Sequence, residues 1–378
     1  MVAGEASGDM LAAHLMRALR SHVPDICFVG IGGPKMEAEG LDAWWPAEKL
    51  AVNGYVDVLL RLRELLRIRR GVFERLRDDP PDLFIGVDAP DFNLGLEEKL
   101  RGAGITTVHY VSPSIWAWKA GRIKQIKRAV DRVLCLFPFE PDIYAQAGVP
   151  ASFVGHPLAD VFPLVPDRAA IRDTLQLPQA QPIVALLPGS RDGEVRLLAD
   201  CFIGAAKIVA ERRPDAQFLV PLVTRATRTL FEEALFRNDA RELPIKLMFG
   251  HAEQAMAAAD VVLVASGTAT LEAALLKRPM VIAYKMAGMT YRIAKRLVKA
   301  RFIGLPNILA NAPLVPEFVQ AAATPEALAQ AIETWLNDAE ARDQVVERFT
   351  DIHVSLKQNH AEKAAQALLP MLGMKGVS

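Results

Sequence analysis

The chain has 378 residues, of which 51% are hydrophobic, and its 44 lysines and arginines balance its 44 aspartates and glutamates. This length is typical of two domains of ordinary size. A net charge of zero excludes a uniformly cationic nucleic-acid-binding protein and a highly charged disordered chain. No stretch approaches the ~18 consecutive apolar residues that a transmembrane helix requires, so the sequence predicts a globular protein.

The cysteines and the amino terminus indicate the compartment. Cys27, Cys135 and Cys201 are odd in number and lie far apart, which is typical neither of a disulfide framework nor of a zinc site. The first residues lack the basic and apolar regions of a signal peptide. We therefore expect a cytoplasmic protein.

Eight short apolar runs precede stretches with helical periodicity, and this alternation predicts an α/β protein with parallel sheets. The runs are residues 26–30, 83–87, 105–111, 133–137, 183–187, 217–222, 261–265 and 280–284. The pattern lapses between about 155 and 182. We therefore expect an N-terminal domain over 1–165, a second domain over 166–345, and C-terminal helices over 346–378 that could pack back on an N-terminal domain. Thr324 and Pro325 are suited to begin the helical region.

Small or polar residues directly follow Met1–Ala3 and four of the eight apolar runs. Because the carboxyl ends of parallel strands share one edge of a sheet, ligands bind there. Two Rossmann-like sheets that face each other would form a cleft between domains. The segments that follow strands are Gly4–Asp9, Asp88–Asp91, Ser112–Trp118, Gly189–Arg191 and Ser266–Thr268.

Two of these segments favour phosphate binding. Glycines in Gly189–Arg191 and Ser266–Thr268 let the backbone approach a ligand, and N–H groups at the following helix N-termini attract anions. Arg191 could donate to a diphosphate. Glu272 could accept two ribose hydroxyls, or it could be an ordinary acidic residue near a helix N-terminus. Small residues at such turns are also common in α/β proteins without phosphate sites.

The segments of the first half carry candidate acid–base and aromatic groups. Asp88 could accept a proton from a substrate hydroxyl, or it could cap the following turn. His109 could act as an acid or base, although a lone histidine is more often structural. Trp116 and Trp118 could belong to the core or form a platform for a sugar or an acyl chain.

Several standard signatures are absent from the sequence. It has no Walker P-loop, no Gly-x-Ser-x-Gly elbow and no His-Glu-x-x-His, and the glycine-rich run 30–35 lacks the final glycine of a dinucleotide fingerprint. No Asp-x-Asp element that would hold a divalent metal beside a nucleotide is present. We therefore expect no metal and no cofactor, with arginine and helix N-termini in the metal's place.

Residues 61–77 form a basic segment with seven arginines against two glutamates. Apolar residues from Val58 onward recur at helical spacing, which predicts an amphipathic helix. Such a helix could lie in an anionic membrane interface, or its apolar face could belong to the core.

Six motifs together resemble the lipid-A-disaccharide synthase family, and the resemblance covers essentially the whole chain. They are Gly4–Asp9, Asp88–Asn93, His109–Trp118, Leu187–Arg191, Ala265–Glu272 and Leu305–Asn307.

The resemblance implies an inverting, metal-independent glycosyltransferase of the glycosyltransferase-B type, with two Rossmann-like domains and the active site between them. It implies transfer of 2,3-diacylglucosamine from UDP to the 6-hydroxyl of 2,3-diacylglucosamine 1-phosphate, which gives a β-1,6-linked disaccharide and UDP. Asp88 is then the general base, and Arg191 and Glu5 are the other catalytic candidates. The implied substrate- and UDP-binding residues are Gly4, Ser7, Gly8, Gly189, Ser190, Ser266, Gly267, Thr268, Glu272 and Asn307.

The family works at the inner face of the cytoplasmic membrane, so the resemblance also implies a peripheral protein on an anionic surface. The sequence does not fix the oligomeric state and leaves a homodimer open. The candidate acceptor or membrane surface comprises Val58, Leu59, Leu62, Leu65, Leu66, Trp116 and Trp118. Two alternatives are a UDP-sugar epimerase on a similar scaffold and a non-catalytic lipid- or nucleotide-binding protein.

Overall fold

The computed structural model describes residues 1–50, 55–116, 120–287 and 301–372, with only the backbone for 55–60 and 120. The chain forms two compact units: Met1–Asp160 together with the chain from Leu356 onward, and Val161–Ser355. The second unit thus begins before the expected residue 166 and extends past 345. It retains most of the helix Ala339–Leu356, in which His353 Nδ1 lies 2.7 Å from Lys277 Nζ.

The first unit contains a parallel sheet of seven strands in the order β3-β2-β1-β4-β5-β6-β7. The strands are β1 (Val2–Ala3), β2 (Phe28–Gly32), β3 (Leu41–Pro46), β4 (Phe84–Val87), β5 (Thr107–Tyr110), β6 (Arg132–Cys135) and β7 (Ala151–Phe153). Its helices are Ala6–His22, Pro34–Ala38, Tyr55–Asp78, Pro90–Gly102, Ile123–Ala129, Glu140–Gln146, Pro157–Val161 and His360–Leu368, with 3₁₀ turns at Ala47–Lys49, Ala120–Arg122 and Leu369–Met371.

The second unit contains a parallel sheet of six strands in the order β10-β9-β8-β11-β12-β13. The strands are β8 (Ile183–Leu187), β9 (Gln217–Leu222), β10 (Ile245–Phe249), β11 (Val261–Ala265), β12 (Met280–Tyr284) and β13 (Glu317–Val319). Its helices are Arg168–Thr174, Asp192–Arg212, Arg225–Arg237, Ala252–Ala258, Thr268–Leu275, Leu305–Ala310, Pro325–Asn337 and Ala339–Leu356, with a 3₁₀ turn at Gln320–Ala322. The α/β class with two Rossmann-like parallel sheets is confirmed.

In the amphipathic helix Tyr55–Asp78, some apolar side chains are buried in the core and others are exposed to solvent. Ile68, Val72 and Leu76 are buried at a spacing of four residues, and they pack in the core of the first unit. Leu62 and Leu66, one turn apart on the same helix, are 42% and 44% exposed. The apolar face of this helix is therefore buried in the core over its carboxyl-terminal half, whereas Leu62 and Leu66 are exposed to solvent.

The helix His360–Leu368 completes the core of the first unit. Ala364, Ala365 and Leu368 are fully buried and lie in one apolar cluster with Leu11 and Leu15 of the helix Ala6–His22. The unit therefore needs both ends of the chain for its core.

Candidate functional site

Asp88 stands at the carboxyl end of β4 in an unusual backbone conformation. Asp88 and Ala89 have φ of 51° and 43°, and Val111 at the end of the neighbouring β5 has φ of 79°. Left-handed backbone costs a residue with a side chain roughly 1–2 kcal/mol. Strain of this kind concentrates at functional sites. Among the described residues, the partly exposed Asp88 carboxylate has no hydrogen-bond partner, so it is available to a ligand.

Buried polar side chains lie below Asp88. Asn93 Nδ2 donates to the Asp88 carbonyl oxygen at 2.8 Å. One helical turn further, Glu97 Oε1 lies 2.8 Å from His109 Nδ1, and both side chains are fully buried. Burial raises the pKa of Glu97, and the His109 interaction opposes that shift. A Cβ on Gly86 would lie 2.1 Å from Glu97 Oε1, so a larger residue at this position of β4 would displace the Glu97 carboxylate.

The loop after β1 combines exposed candidates with a structural aspartate. Glu5 is the N-cap residue of the helix Ala6–His22, and Glu5 and Ser7 are exposed, whereas Gly4 and Gly8 are buried. The Asp9 carboxylate accepts hydrogen bonds from the backbone N–H groups of Gly33, Lys35 and Met36 at 2.9–3.1 Å. Asp9 therefore holds the run 30–35 by capping the next helix.

Four aromatic rings cluster in the loops that follow β5, β6 and β7. Phe137 stacks on Phe139 with a centroid distance of 5.9 Å and on His156 at 5.6 Å. Trp116 meets Phe139 edge to face at 5.5 Å. Trp116, Phe137 and Phe139 are partly exposed. These rings form an aromatic surface at the same sheet edge as Asp88.

A buried carboxyl group holds this aromatic surface. Glu140 Oε1 accepts from Trp116 Nε1 at 3.2 Å, and Glu140 Oε2 accepts from the Phe137 backbone N–H at 3.0 Å. Glu140 is 2% exposed, and burial raises its pKa to about 7 although these donors favour the ionised form. His156, which stacks on Phe137, is buried, and desolvation lowers its pKa to about 4.

In the second unit, the turn after β8 has the tight geometry that its sequence predicts. Gly189 has φ of 125°, and a Cβ there would lie 2.4 Å from Glu194 Cβ. The N–H groups of Ser190 and Arg191 donate to Glu194 Oε2 at 3.0 and 3.3 Å, and Arg191 Nη1 donates to Glu194 Oε1 at 3.0 Å. The sequence predicts that these two N–H groups are free to bind a phosphate. In the structure they instead donate hydrogen bonds to the Glu194 carboxylate. The Arg191 side chain remains 82% exposed.

The turn after β11 is more open. Gly267 and Thr268 are exposed, and a Cβ on Gly267 would meet no atom within 4 Å. Ser266 Oγ donates to the Ile303 carbonyl oxygen at 2.8 Å. Glu272 is partly buried in the helix that begins at Thr268, and desolvation raises its pKa, with Glu253 adding to the shift.

Asn307 organises the neighbouring loop from inside. Its side chain is fully buried; Nδ2 donates to the Val315 carbonyl oxygen at 2.9 Å and to Glu317 Oε1 at 2.8 Å, and Oδ1 accepts from the Val315 N–H at 3.0 Å. Glu317 in turn accepts from the N–H groups of Ile303 and Gly304. In this structure the Asn307 amide therefore positions a loop.

Each unit thus brings its predicted residues to the carboxyl edge of its own sheet. The first has Gly4–Gly8, Asp88 and Trp116 there, and the second has Gly189–Arg191 and Ser266–Thr268. Trp118 and the side chains of Val58 and Leu59 lie outside the described residues. Sequence reasoning missed the residues that support these loops: Asn93, Glu97, Glu140 and Glu194. Glu194 lies three residues after the N-cap Arg191, as in a capping box, but an arginine at the N-cap does not match the Ser/Thr signature by which such a box is recognised in a sequence.

Within the described residues, no group of three or more His, Cys, Asp or Glu side chains is placed to hold a metal ion. None of the described helices has the length and apolar character that a bilayer span requires.

Solved structures share this fold at low sequence identity. A glycosyltransferase from Rickettsia africae has a TM-score of 0.57 and 12% identity, covering 98% of this chain and 97% of that chain. A UDP-GlcNAc 2-epimerase from Neisseria meningitidis, bound to UDP-GlcNAc, has a TM-score of 0.60 and 10% identity, covering 97% and 96%. Because transferases and epimerases both have this fold, the fold alone does not separate them.

The amino-acid sequence separates them. Lipid-A-disaccharide synthases from Aromatoleum aromaticum and Dechloromonas aromatica are 62% and 57% identical to this chain, over 98% of its length and 95% and 98% of theirs. That of Pseudomonas aeruginosa is 52% identical over 98% of this chain and 97% of its own. The family model described as lipid-A-disaccharide synthetase matches residues 1–370. The chain therefore belongs to the lipid-A-disaccharide synthase family.

Proposed function

We propose that the chain transfers 2,3-diacylglucosamine from UDP to the 6-hydroxyl of 2,3-diacylglucosamine 1-phosphate, with inversion at the sugar C1. The products are the β-1,6-linked disaccharide 1-phosphate and UDP. The observation that carries this proposal is the match of the family model to residues 1–370. At 62% identity to a relative of this name, the family's reaction is favoured over that of the epimerases, which share only the fold.

On the acceptor side, Asp88 is our candidate general base. Its carboxylate would take the proton of the 6-hydroxyl as the oxygen forms its bond to C1. The left-handed backbone at Asp88 and Ala89 and the hydrogen bond from Asn93 to the Asp88 carbonyl support this role, because both fix the backbone from which the carboxylate projects. Glu5, on the loop after β1, is our second candidate on this unit.

On the UDP side, the bond from C1 to the diphosphate oxygen breaks, and its electron pair leaves with UDP. Arg191 would stabilise this charge, since its guanidinium is largely exposed although one nitrogen bonds to Glu194. The open turn at Gly267 would let the diphosphate approach the N-terminus of the helix Thr268–Leu275. Glu272 would accept the ribose hydroxyls.

We further propose that no metal ion takes part, because a fixed arginine and a helix N-terminus can supply the positive charge that a divalent cation provides elsewhere. Activity should then be unchanged in excess EDTA. Loss of activity in EDTA that Mg²⁺ restores would contradict this proposal.

The decisive experiment for the reaction follows UDP release from UDP-diacylglucosamine with and without the phosphorylated acceptor. We expect release only with both lipids, in equal amount to a disaccharide product. Conversion of the UDP-sugar without the acceptor would identify an epimerase. Binding of both lipids without any release would identify a carrier.

We also propose that the chain works as a peripheral protein on an anionic membrane surface. Leu62 and Leu66 project from a helix whose exposed residues include Arg63, Arg67 and Arg70. Exposed leucines among arginines suit the boundary between acyl chains and anionic headgroups. The buried half of the same helix would stay in the core.

Liposome sedimentation tests this surface. Leu62→Ser with Leu66→Ser should reduce association with phosphatidylglycerol vesicles several-fold, because two apolar side chains no longer enter the interface. Leu197→Ser is a matched control, since Leu197 is 41% exposed in the second unit. Equal association of the double variant and the wild type would refute the proposed surface.

A further inference from the structure

A strongly basic cavity of about 370 Å³ lies in the second unit at the amino edge of its sheet. Its walls include the residues just before three strands: 179–182 before β8, Asp260 before β11, and 277–279 before β12. The proposed nucleotide-binding turns follow β8 and β11 at the opposite ends of the same strands. Five residues of extended chain span about 16 Å, so a diphosphate at those turns does not reach this cavity.

Positive charge dominates the lining of the cavity. The cations are Arg168, Arg172, Arg213, Lys277, Arg278 and Arg342, and the anions are Asp260 and Asp343. Asp260 is already engaged, because its carboxylate binds Arg168, Arg172 and the Ile183 N–H. Asp343 is exposed to solvent.

The remaining cations have no carboxylate partner among the described residues. Arg342 donates to the carbonyl oxygens of Trp335 and Leu336, and Lys277 donates to that of Leu275. Arg213 donates to an amide oxygen. The Arg278 Nε atom is buried and, within the part of the chain that the structure describes, has no hydrogen-bond partner.

The electrostatics of the cavity are consistent with missing negative charge. Desolvation, aided by repulsion from Arg168 and Arg172, lowers the pKa of Arg278 to about 10 although attraction to Asp260 opposes the shift. Desolvation, aided by Arg278, lowers that of Lys277 to about 8. Charges removed from water are stable only when they are paired and hydrogen-bonded.

We propose that this cavity binds a phosphate group, with Arg278 as its central donor. A phosphate oxyanion would supply the acceptors that Arg278 lacks, and guanidinium groups match phosphate geometry. The N-terminal turns of the helix Ala339–Leu356, which carry Arg342, would add favourable dipole charge. The site is separate from the proposed nucleotide-binding turns and does not depend on the proposed reaction. The phosphate could be a free ion or the headgroup of an anionic phospholipid.

Calorimetric titration with inorganic phosphate, against chloride at equal ionic strength, tests the site. Arg278→Met keeps an unbranched apolar stem and removes the charge. We expect phosphate affinity to fall at least tenfold in Arg278→Met. In phosphate-free buffer the variant should unfold at the same or a higher temperature than the wild type, because repulsion inside the cavity is relieved.

Two controls separate this site from other anion binding. Arg237→Met removes an exposed arginine that pairs with Asp200, and it should leave phosphate affinity unchanged. Arg191→Ala removes the candidate diphosphate ligand, and phosphate binding that depends on Arg278 should persist in this background. Equal phosphate affinity in the wild type and Arg278→Met, or no binding above the chloride control, would overturn the proposal.

Vesicles distinguish the two sources of the phosphate. If the ligand is a headgroup, Arg278→Met should weaken binding to phosphatidylglycerol vesicles, and inorganic phosphate should compete with those vesicles for the wild type. If the ligand is a free ion, vesicle binding should be the same in both proteins while the calorimetric difference remains.

Discussion

Replacement of Glu140 by glutamine should change how the stability of the first unit depends on pH. Burial raises the pKa of this carboxyl group from 4.5 to about 7. The folded state therefore binds its proton more tightly than the unfolded state does between these values. For an acid with a raised pKa, the contribution to stability is complete below pH 4.5 and is lost as the pH rises to 7.

The size of this effect follows from the pKa difference. A shift of 2.5 pH units, from 4.5 to about 7, corresponds to about 3–4 kcal/mol, at about 1.4 kcal/mol per unit. No reduction for solvent screening applies, because Glu140 is 2% exposed. Glutamine does not titrate. The difference in unfolding free energy between the wild type and Glu140→Gln should therefore change by about 2–3 kcal/mol between pH 5 and pH 8, to the disadvantage of the wild type at high pH.

Urea unfolding of both proteins at several pH values measures this difference, and the subtraction cancels the titration of all other groups. Glu98→Gln is the control, because Glu98 is a more exposed carboxylate that pairs with Arg128. It should show little pH-dependent difference from the wild type. A difference between the wild type and Glu140→Gln that stays constant within about 0.5 kcal/mol from pH 5 to pH 8, well below that expected change, would refute the reasoning.

Three further substitutions test the proposed site. Asp88→Asn should lower turnover by ~10²-fold or more with the fold intact, the usual effect of losing a general base. Asp91→Asn is the control, because it removes an exposed charge that pairs with an arginine, and it should leave turnover unchanged. Comparable turnover of the two variants would exclude Asp88 as the base. Arg191→Ala should weaken UDP binding by ~10- to 100-fold through loss of a charge-assisted hydrogen bond, and unchanged calorimetric affinity would contradict the diphosphate role. Gly189→Ala should cost about 1–3 kcal/mol, because φ is positive and the new Cβ meets Glu194; an unchanged melting temperature would show that the turn relaxes.

The sequence predicted the interior strands and missed those at the sheet edges. The eight apolar runs correspond to β2, β4, β5, β6, β8, β9, β11 and β12. The interior strand β1 corresponds to Met1–Ala3 ahead of Gly4, outside the eight runs. The other four strands outside the runs, β3, β7, β10 and β13, are the edge strands of the two described sheets. Edge strands are only partly buried, so their sequences mix polar and apolar residues and lack a continuous apolar run.

Within the candidate site, the sequence predicted the residues that one local segment reveals and missed those that depend on packing between separate elements. Asp88 and Gly189–Arg191 were found because polar or glycine residues directly after an apolar run are visible in one local segment. Glu97 and Glu140 were missed because their partners, His109 and Trp116, are brought to them only by the packing of separate elements. No local pattern shows that a glutamate in a helix will be buried.

The helix His360–Leu368 also affects the order in which the chain can fold during synthesis. The second unit is one continuous stretch, so it can fold as soon as it has left the ribosome. The first unit begins earlier on the chain, yet Leu11 and Leu15 obtain the packing of Ala364 and Leu368 only after the second unit has been translated. At ~5–20 residues per second, nascent strands of the larger sheet wait tens of seconds with part of their apolar surface uncovered. Exposed apolar surface favours aggregation, so the amino-terminal half is the more aggregation-prone part of the nascent chain.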